Sequence, residues 1–466
     1  MVEQNVYYLL NLGCAKNLVD ADSMVQLLTR EGFHGTGSPD EAGVLIVNTC
    51  GFIDAARQES LDALRELAAG KQPGQLLIAA GCLSQRYGPV LAQEVPGLDG
   101  VIGTRRWMDI LDLIKRLRGR SHPGPLYHLP DEAQTVGTDE RGVLRAAIQG
   151  ASAYLKIADG CRRPCAFCAI PSIKGTHVSR PPQLIVEEAA RLNDLGAREI
   201  IIISQDTTDY GHDLGLKDGL ATLLEQIVAV TPDVPWIRLM YAYPGYVTDR
   251  LLGVMASEAR ILPYLDMPLQ HAHRETLKRM RRPANVEWVH RTVGKLRDAM
   301  PDVAIRTTFI VGYPGETNEE FEALVQFVED LRFDRVGAFT YSYEIGTPSA
   351  ELPGQVPDDV KEARLDLLMQ TQQPISLQRN QQFVGRTLPI LVEGANDGLS
   401  VGRSYRDAPE IDGMVIVEGE LPVGEIVPVR ITGALVYDLV GTVDARAPVV
   451  MSADSPGRGE IPARES

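Results

Sequence analysis

The first hundred residues alternate between short hydrophobic runs and longer segments with helical periodicity. Three runs have the length and composition of strands, at residues 7–12, 44–47 and 76–80. Each is followed by a helical pattern, at residues 18–30, 53–69 and 85–94. A strand–loop–helix unit that occurs three times predicts a parallel sheet with helices on its faces. We therefore predict an N-terminal α/β domain over residues 1–120.

A second series of hydrophobic runs begins after residue 149. Six runs are predicted strands, at residues 153–158, 199–204, 236–241, 264–269, 304–311 and 335–341. Five helical patterns lie between them, at residues 183–195, 216–230, 247–256, 286–299 and 318–331. Six strand–helix repeats are too few for an ordinary eight-fold barrel. They predict a partial, open (β/α)6 barrel over residues 149–375.

The pattern changes again towards the C-terminus. Residues 376–446 contain short alternating segments separated by Gly, Asp and Pro, which is typical of a small all-β barrel. Residues 121–148, rich in Pro, Gly and polar side chains, are a predicted linker. Residues 447–466 have little hydrophobic pattern and are a predicted disordered tail. The fold class is thus α/β, with an additional β domain.

Composition narrows the function classes. The 466 residues include 46 Lys or Arg and 62 Asp or Glu, a net charge of −16. This acidity argues against a nonspecific nucleic-acid binder, which needs surplus positive charge, and is compatible with a basic partner. No hydrophobic run approaches the ~18 residues of a membrane span, and the N-terminus lacks a secretory signal pattern. We therefore expect a cytoplasmic protein whose cysteines are thiols or metal ligands.

The six cysteines form two sets. Cys14, Cys50 and Cys82 each follow one of the three N-terminal strands. Because ligands bind at the carboxyl edge of a parallel sheet, we expect these three to converge there. Three buried structural cysteines are the alternative, since free Cys is among the most buried residue types.

The second set is compact. Cys161, Cys165 and Cys168 form a C-x3-C-x2-C motif after the first predicted barrel strand. Three thiolates without a fourth match an iron–sulfur cubane in which one iron is left open, since ordinary [4Fe–4S] clusters use four Cys. A zinc site with His177 as fourth ligand is the alternative. His271 and His273 could likewise form a metal pair, or serve as plain hydrogen-bonding groups.

The cysteine motif resembles that of the radical S-adenosylmethionine superfamily. The resemblance implies a cluster that passes one electron to bound S-adenosylmethionine, and it implies that Phe167 lies near the adenine. Two segments at strand ends fit further cofactor-binding positions, where Gln205, Gly312 and Glu316 are the candidates. Ordinary turns between strand and helix use the same residue types and remain the alternative.

Nearly the whole chain resembles the methylthiotransferase family of that superfamily. The N-terminal segments that match are NLGCAKN, VNTCGFI and GCLSQR, at residues 11–17, 47–53 and 81–86. The resemblance implies a second [4Fe–4S] cluster on Cys14, Cys50 and Cys82, and a C-terminal TRAM-like barrel that recognises the substrate. It implies replacement of C–H by C–SCH3, with an electron donor such as a flavodoxin. It does not identify catalytic side chains.

Two branches of the family differ in substrate. One modifies isopentenyl-adenosine in tRNA, and the other modifies the β-carbon of an aspartate in small-subunit ribosomal protein twelve. The segments at residues 264–271, 307–316, 339–344 and 402–413 resemble the ribosomal-protein branch. We therefore predict that protein as the substrate, free or within the ribosomal subunit, and expect neither a nucleic-acid substrate nor a membrane.

Charge favours the same branch. Residues 376–445 contain five Arg, no Lys and ten Asp or Glu, a net charge of −5. An acidic barrel suits a basic protein, whereas an RNA-binding barrel should present a basic face. Asp407, Glu410 and Asp412 are a hypothetical docking segment for the basic partner. A surface that merely confers solubility, a tRNA methylthiotransferase, and a non-catalytic, zinc-stabilised ribosome-binding module remain alternatives.

Overall fold

The computed structural model describes residues 3–119, 124–129 and 141–443. They form two compact units, which divide between Ile375 and Ser376. None of the helices in the described residues is long and apolar enough to cross a membrane. The predicted disordered tail, and half of the predicted linker, lie outside the described residues.

The N-terminal part of the first unit is a six-stranded, all-parallel sheet. Its strands are β1 (Glu3–Asn11), β2 (His34–Gly35), β3 (Ala42–Thr49), β4 (Leu76–Gly81), β5 (Gly100–Gly103) and β6 (Leu126–His128), in the spatial order β2-β1-β3-β4-β5-β6. Its helices are α1 (Ala15–Arg30), α2 (Asp54–Gly70), α3 (Cys82–Glu94) and α4 (Ile110–Arg118), with a 3-10 segment at Thr104–Asp109. Separate hydrophobic cores cover the two faces of the sheet, as the predicted parallel α/β domain requires.

The rest of the first unit is the partial barrel. Its strands are β7 (Ala146–Gln149), β8 (Ser152–Lys156), β9 (Ala158–Asp159), β10 (Val178–Ser179), β11 (Glu199–Ile203), β12 (Trp236–Leu239), β13 (Tyr264–Asp266), β14 (Ala304–Val311) and β15 (Arg335–Thr340). Its helices are α5 (Ile170–Lys174), α6 (Pro182–Asp194), α7 (Gly219–Val230), α8 (Asp249–Ser257), α9 (Arg274–Arg279), α10 (Val286–Ala299), α11 (Asn318–Leu331) and α12 (Asp358–Gln381), and two 3-10 segments are Thr207–Asp209 and Pro348–Glu351.

Six of these strands are the predicted barrel strands. β8, β11 and β12 pair in parallel, as do β13, β14 and β15. A bridge between Ile237 and Ile261 links the two groups. β7 adds antiparallel to β8, and β9 pairs antiparallel with β10. One hydrophobic core fills the space between these strands and their helices, which confirms the predicted partial barrel.

The predicted linker differs from the structure where it is described. Residues 126–128 form β6, which pairs in parallel with β5, and residues 146–149 form β7. Both are edge strands of three or four residues. Such short segments carry too little hydrophobic alternation to be recognised, and pairing with a preformed neighbour is what makes them strands.

The second unit contains a closed five-stranded barrel. Its strands are β16 (Thr387–Asn396), β17 (Leu399–Arg403), β18 (Val415–Glu418), β19 (Ile426–Ala434) and β20 (Leu439–Val443), in the order β16-β17-β18-β20-β19. Closure leaves no free strand edge. The predicted small all-β barrel is therefore confirmed.

Candidate active site

The three N-terminal cysteines lie at the carboxyl ends of adjacent parallel strands. Cys14 directly precedes α1, Cys50 follows β3, and Cys82 is the first residue of α3, directly after β4. Because β1, β3 and β4 are neighbours in the sheet, their three loops meet at one edge. The structure therefore brings together the three cysteines that the sequence places 36 and 32 residues apart.

Asn17 ties these three loops to one another. Its Nδ2 donates to the carbonyl oxygens of Leu12 (3.1 Å) and Thr49 (3.0 Å), and its Oδ1 accepts from Cys82 Sγ at 3.4 Å. Asn48 reinforces the arrangement by donating to the Asn17 carbonyl at 2.8 Å. Sequence reasoning did not single out Asn17, although a buried amide in the first turn of a helix is the available signal.

The loops approach one another so closely that only glycine fits at residue 13. Gly13 has a φ of 98°, and a Cβ at this position would lie 2.9 Å from Cys50 Cβ and 3.3 Å from Cys50 Sγ. Glycine is the residue that adopts such a φ without strain and permits such an approach. The Gly–Cys step therefore brings the Cys14 and Cys50 loops into contact.

The three N-terminal thiols differ in the direction in which their surroundings shift the pKa. Desolvation raises the pKa of the Cys14 thiol, but the Lys16 and Lys174 ammonium groups and nearby backbone N–H groups lower it, and the net shift is downward. Burial raises the pKa of Cys50, and it raises that of Cys82 to about 12. Neighbouring cations favour thiolates, the form that binds metal.

The second set of cysteines lies in the loop between β9 and α5, at the mouth of the barrel. Backbone N–H groups of Arg163 and Ile170 donate to Cys161 Sγ and Cys168 Sγ, each at 3.5 Å. Burial raises the pKa of Cys161 to about 11 and that of Cys168 to about 12. Arg282 donates to Cys165 Sγ at 3.6 Å, so this thiol faces a guanidinium.

Aromatic and cationic side chains that the sequence did not reveal surround this loop. Arg163 stacks on the rings of Tyr243 and Tyr246, at 4.4 and 3.7 Å from their centres, and Arg282 lies 4.1 Å from the Tyr243 ring centre. The Tyr243 hydroxyl is 3.9 Å from Cys165 Sγ. These side chains come from segments about 80 and 120 residues away, so only the fold brings them together.

The predicted cofactor residues lie around the same barrel mouth. Phe167 packs against the hydrophobic cluster of Met280, Tyr313 and Tyr341. The side-chain oxygen of Gln205 is buried and has no hydrogen-bond partner among the described residues. Its neighbour Asp206 pairs with Arg163 at 2.6 Å, so this segment lies against the cysteine loop. A buried amide oxygen without a partner fits a position that contacts a ligand.

Gly312 and Glu316 have structural contacts of their own. Gly312 has a φ of 70°, and a Cβ there would clash with Lys361 of α12. Glu316 is buried, accepts from the Tyr313 N–H and from Arg364 at 3.0 Å, and has its pKa raised by burial to about 7. Both contacts support the alternative in which these two residues shape a turn.

The histidines considered as metal ligands lie near hydrogen-bonding or carboxylate groups of the protein. His177 Nε2 lies 3.1 Å from Ser179 Oγ, and burial lowers the pKa of His177. His271 accepts from the His273 N–H, lies 3.8 Å from Glu316, and has its pKa lowered by burial to about 3. In the part of the chain that the structure describes, no three His, Cys, Asp or Glu side chains are arranged to share one metal ion. The thiolates of a cubane bind different irons and need no such convergence.

A buried ionic cluster joins the two cysteine regions. Asp20 of α1 accepts from Arg145 (2.7 Å), Lys156 (2.8 Å) and Lys174 (2.9 Å), and the same three cations also contact Asp159. Burial raises the pKa of Asp20, but the cations lower it far below its usual value. Asp159 precedes Cys161 by two residues, and Lys174 ends the short helix after Cys168. The cluster therefore fixes the barrel loop against the helix that Cys14 begins.

The hypothetical docking segment of the second unit is mostly engaged within its own loop. Asp407 is 1% exposed and accepts from Ser404 Oγ at 2.7 Å. Asp412 accepts from the Ala408 N–H at 2.9 Å. The prediction that Asp407 faces a partner is therefore wrong, because its carboxylate closes a turn. Glu410 is exposed and remains a docking candidate.

Three family models match the chain. They are those of the Radical SAM superfamily over residues 155–328, the TRAM domain over residues 384–443, and a family described as Uncharacterized protein family UPF0004 over residues 6–103. Together they span both cysteine sets and the C-terminal barrel.

Curated relatives match over nearly the full length. A protein of Chloroflexus aurantiacus, named ribosomal protein uS12 methylthiotransferase RimO, is 52% identical over 450 residues, covering 93% of this chain and 99% of the relative. A protein of the same name from a Roseiflexus species is 49% identical, covering 93% and 96%. Among solved structures, the radical S-adenosylmethionine methyltransferase TsrM from Kitasatospora setae matches with a TM-score of 0.55 at 15% identity, covering 86% of this chain and 77% of TsrM. This last likeness concerns the fold alone.

Proposed function

The chain belongs to the RimO family of ribosomal protein uS12 methylthiotransferases, and we propose that it inserts a methylthio group at the β-carbon of an aspartate in uS12. The observation that supports this most directly is the pair of cysteine sets, which a buried ionic cluster holds together within one compact unit. Such chemistry requires a sulfur-carrying site beside a radical-generating one. The names of the curated relatives do not favour the alternative, in which the substrate is tRNA.

The barrel loop is the proposed site for S-adenosylmethionine and its iron–sulfur cluster. Cys161, Cys165 and Cys168 are the proposed ligands, and Phe167 and Gln205 are the proposed cofactor contacts. The three thiols receive donors from Arg163, Ile170 and Arg282, which suits thiolates bound to iron. When bound, this group supplies the electron and the radical that remove hydrogen from an unactivated carbon.

Cys14, Cys50 and Cys82 are the proposed ligands of a second [4Fe–4S] cluster. Three thiols at one sheet edge, with Asn17 joining their loops and Lys16 and Lys174 nearby, suit an anionic metal centre. Gly312 and Glu316 are better supported as turn residues than as cofactor contacts. We further propose a flavodoxin-like electron donor and a cytoplasmic location, in keeping with a ribosomal substrate.

Anaerobic reconstitution tests this function. The purified chain should bind about eight irons, from two four-iron clusters. With S-adenosylmethionine, a sulfur source and a reductant, it should add the mass of one methylthio group, less one hydrogen, to uS12. Tandem mass spectrometry should place the adduct on an aspartate.

Two other results would contradict the proposal. Modification of tRNA nucleosides with uS12 left unchanged would establish the tRNA alternative. Zinc in place of iron, with no turnover, would establish the non-catalytic binding module.

A further inference from the structure

Lys16 extends from the N-terminal cysteine loops towards the barrel. It lies in the first turn of α1, two residues after Cys14, and its side chain is largely buried, with the residue 9% exposed. Its Nζ lies 3.2 Å from the ring centre of Tyr241, which follows β12 at the carboxyl end of the barrel strands. The ammonium group is therefore placed between the two cysteine regions.

This cation lies near the Cys14 thiol but has no carboxylate partner in the chain as described. Over residues 3–119, 124–129 and 141–443, no carboxylate lies within ion-pair distance of Lys16 Nζ, which contacts the Tyr241 ring. The acid one turn further along α1, Asp20, is already engaged by three other cations. A largely buried charge without a carboxylate partner is costly, and a cation–π contact offsets only part of that cost. The arrangement is suited to receive an external anion.

The backbone around Tyr241 is held in an unusual conformation. Tyr241 has a φ of 62°, in the left-handed region that non-glycine residues rarely adopt. Its carbonyl accepts from Thr207 N–H (3.1 Å) and Oγ1 (3.0 Å), and its N–H donates to Asp266 at 3.3 Å. Two residues later, the Tyr243 hydroxyl reaches Cys165 Sγ. One strained segment thus contacts Lys16 on one side and the barrel cysteines on the other, which is typical of a functional position.

We propose that Lys16 binds the side-chain carboxylate of the substrate aspartate. This inference rests on the proposed function, and it names the residue that recognises the reacting side chain. The carboxylate is one bond from the carbon that is modified, so an ion pair with Lys16 would hold that carbon between the two cysteine regions. Tyr241 orients the ammonium group through its ring.

The test measures how well the holoenzyme distinguishes Asp from Asn. Isothermal titration under anaerobic conditions would compare uS12 with a uS12 variant that carries Asn at the modified position. The wild-type enzyme should bind the Asp form about tenfold more tightly, as expected for a charged hydrogen bond. Lys16→Met should bind both forms equally, and Lys16→Arg should keep part of the preference. Lys115→Met, at an exposed lysine in α4, is the matched control and should keep all of it.

Other outcomes are equally decisive. A Lys16→Met variant that retains the preference for Asp would overturn the inference. Equal binding of the two uS12 forms by the wild-type enzyme would also overturn it, and this second measurement needs no enzyme variant. Weaker binding of S-adenosylmethionine by Lys16→Met, with the Asp preference intact, would assign Lys16 to the carboxylate of the cofactor. Iron content of each variant confirms that both cysteine sets are loaded. A wild-type enzyme that prefers Asp but never methylthiolates uS12 would refute the proposed function and leave the assignment of Lys16 standing.

Discussion

The N-terminal cysteines and the barrel cysteines differ in how the chain brings them together. The barrel set lies within eight residues of one loop, whereas the N-terminal set comes from three strand–loop–helix units. Backbone N–H groups of Arg163 and Ile170 contact the barrel set, but the N-terminal set depends on the contacts of Asn17 and Gly13 across loops. The barrel set therefore has its ligands in one loop, to which Arg282 adds a contact from another segment, whereas the N-terminal set needs the whole sheet edge to be folded.

Removing one cysteine from either set should have the largest effect and should distinguish the roles of the two sets. Cys161→Ala and Cys50→Ala should each lose about four of about eight irons. Cys161→Ala should lose both reductive cleavage of S-adenosylmethionine and methylthiolation, because the barrel loop is the proposed cofactor site. Cys50→Ala should lose methylthiolation and retain cleavage. Iron analysis and chromatography of 5′-deoxyadenosine check this, and loss of cleavage in both variants would contradict separate roles.

Gly13→Ala should disrupt only the N-terminal set. The added Cβ meets Cys50 at 2.9 Å in a backbone conformation that already costs about 1–2 kcal/mol for an L-residue. We expect about half of the iron to be lost, with cleavage of S-adenosylmethionine retained. Gly32→Ala is the control, because Gly32 has a φ of 81° but open space around its Cβ position. Equal iron content in the two variants would show that the close approach is unimportant.

The thiols should also differ in reactivity before iron is bound. Cys14 is exposed and has a lowered pKa, whereas the pKa values of Cys50, Cys82, Cys161 and Cys168 are raised. At pH 7.5 a lowered pKa gives a larger thiolate fraction, so Cys14 should be alkylated about tenfold faster than those four. Peptide mass spectrometry after timed iodoacetamide labelling measures the rates. The advantage should shrink as the pH rises towards the pKa of the other thiols, and uniform labelling at pH 7.5 would refute it.

Asn17→Ala should have the smallest effect, mainly on stability. It leaves the carbonyls of Leu12 and Thr49 without a buried donor, which costs about 1–3 kcal/mol. The urea midpoint of the apoprotein should fall accordingly. Asn5→Ala, at an exposed asparagine in β1, should stay within about 0.5 kcal/mol of the wild type. If both variants unfold at the same urea concentration, Asn17 does not hold the loops together.

The same comparison explains what could be predicted from the sequence. The spacing of Cys161, Cys165 and Cys168 is visible in eight residues, and the periodicity of strands and helices is visible over the whole chain. The parallel sheet, partial barrel and closed β-barrel follow from that periodicity. Convergence of the N-terminal cysteines was predictable only because each follows a strand.

The missing features are those that depend on long-range contacts. Arg282 and Tyr243 reach the cysteine loop from other barrel segments, and nothing in their local sequence marks them. Asp407 was misjudged because its charge is visible in the sequence but its hydrogen bond to Ser404 is not. Short edge strands such as β6 exist only through pairing. Burial and pairing are properties of the folded chain, so a charge count cannot separate a docking residue from a turn residue.

The Asp20 cluster has a consequence for how the protein is made. Asp20 is synthesised 125 residues before Arg145, 136 before Lys156 and 154 before Lys174. N-terminal domains generally begin to fold while the chain is still growing, yet burying Asp20 without these cations would be costly. The first helix can therefore dock fully only after the barrel loop has left the ribosome. The order of synthesis thus delays completion of the N-terminal site until its partner site exists.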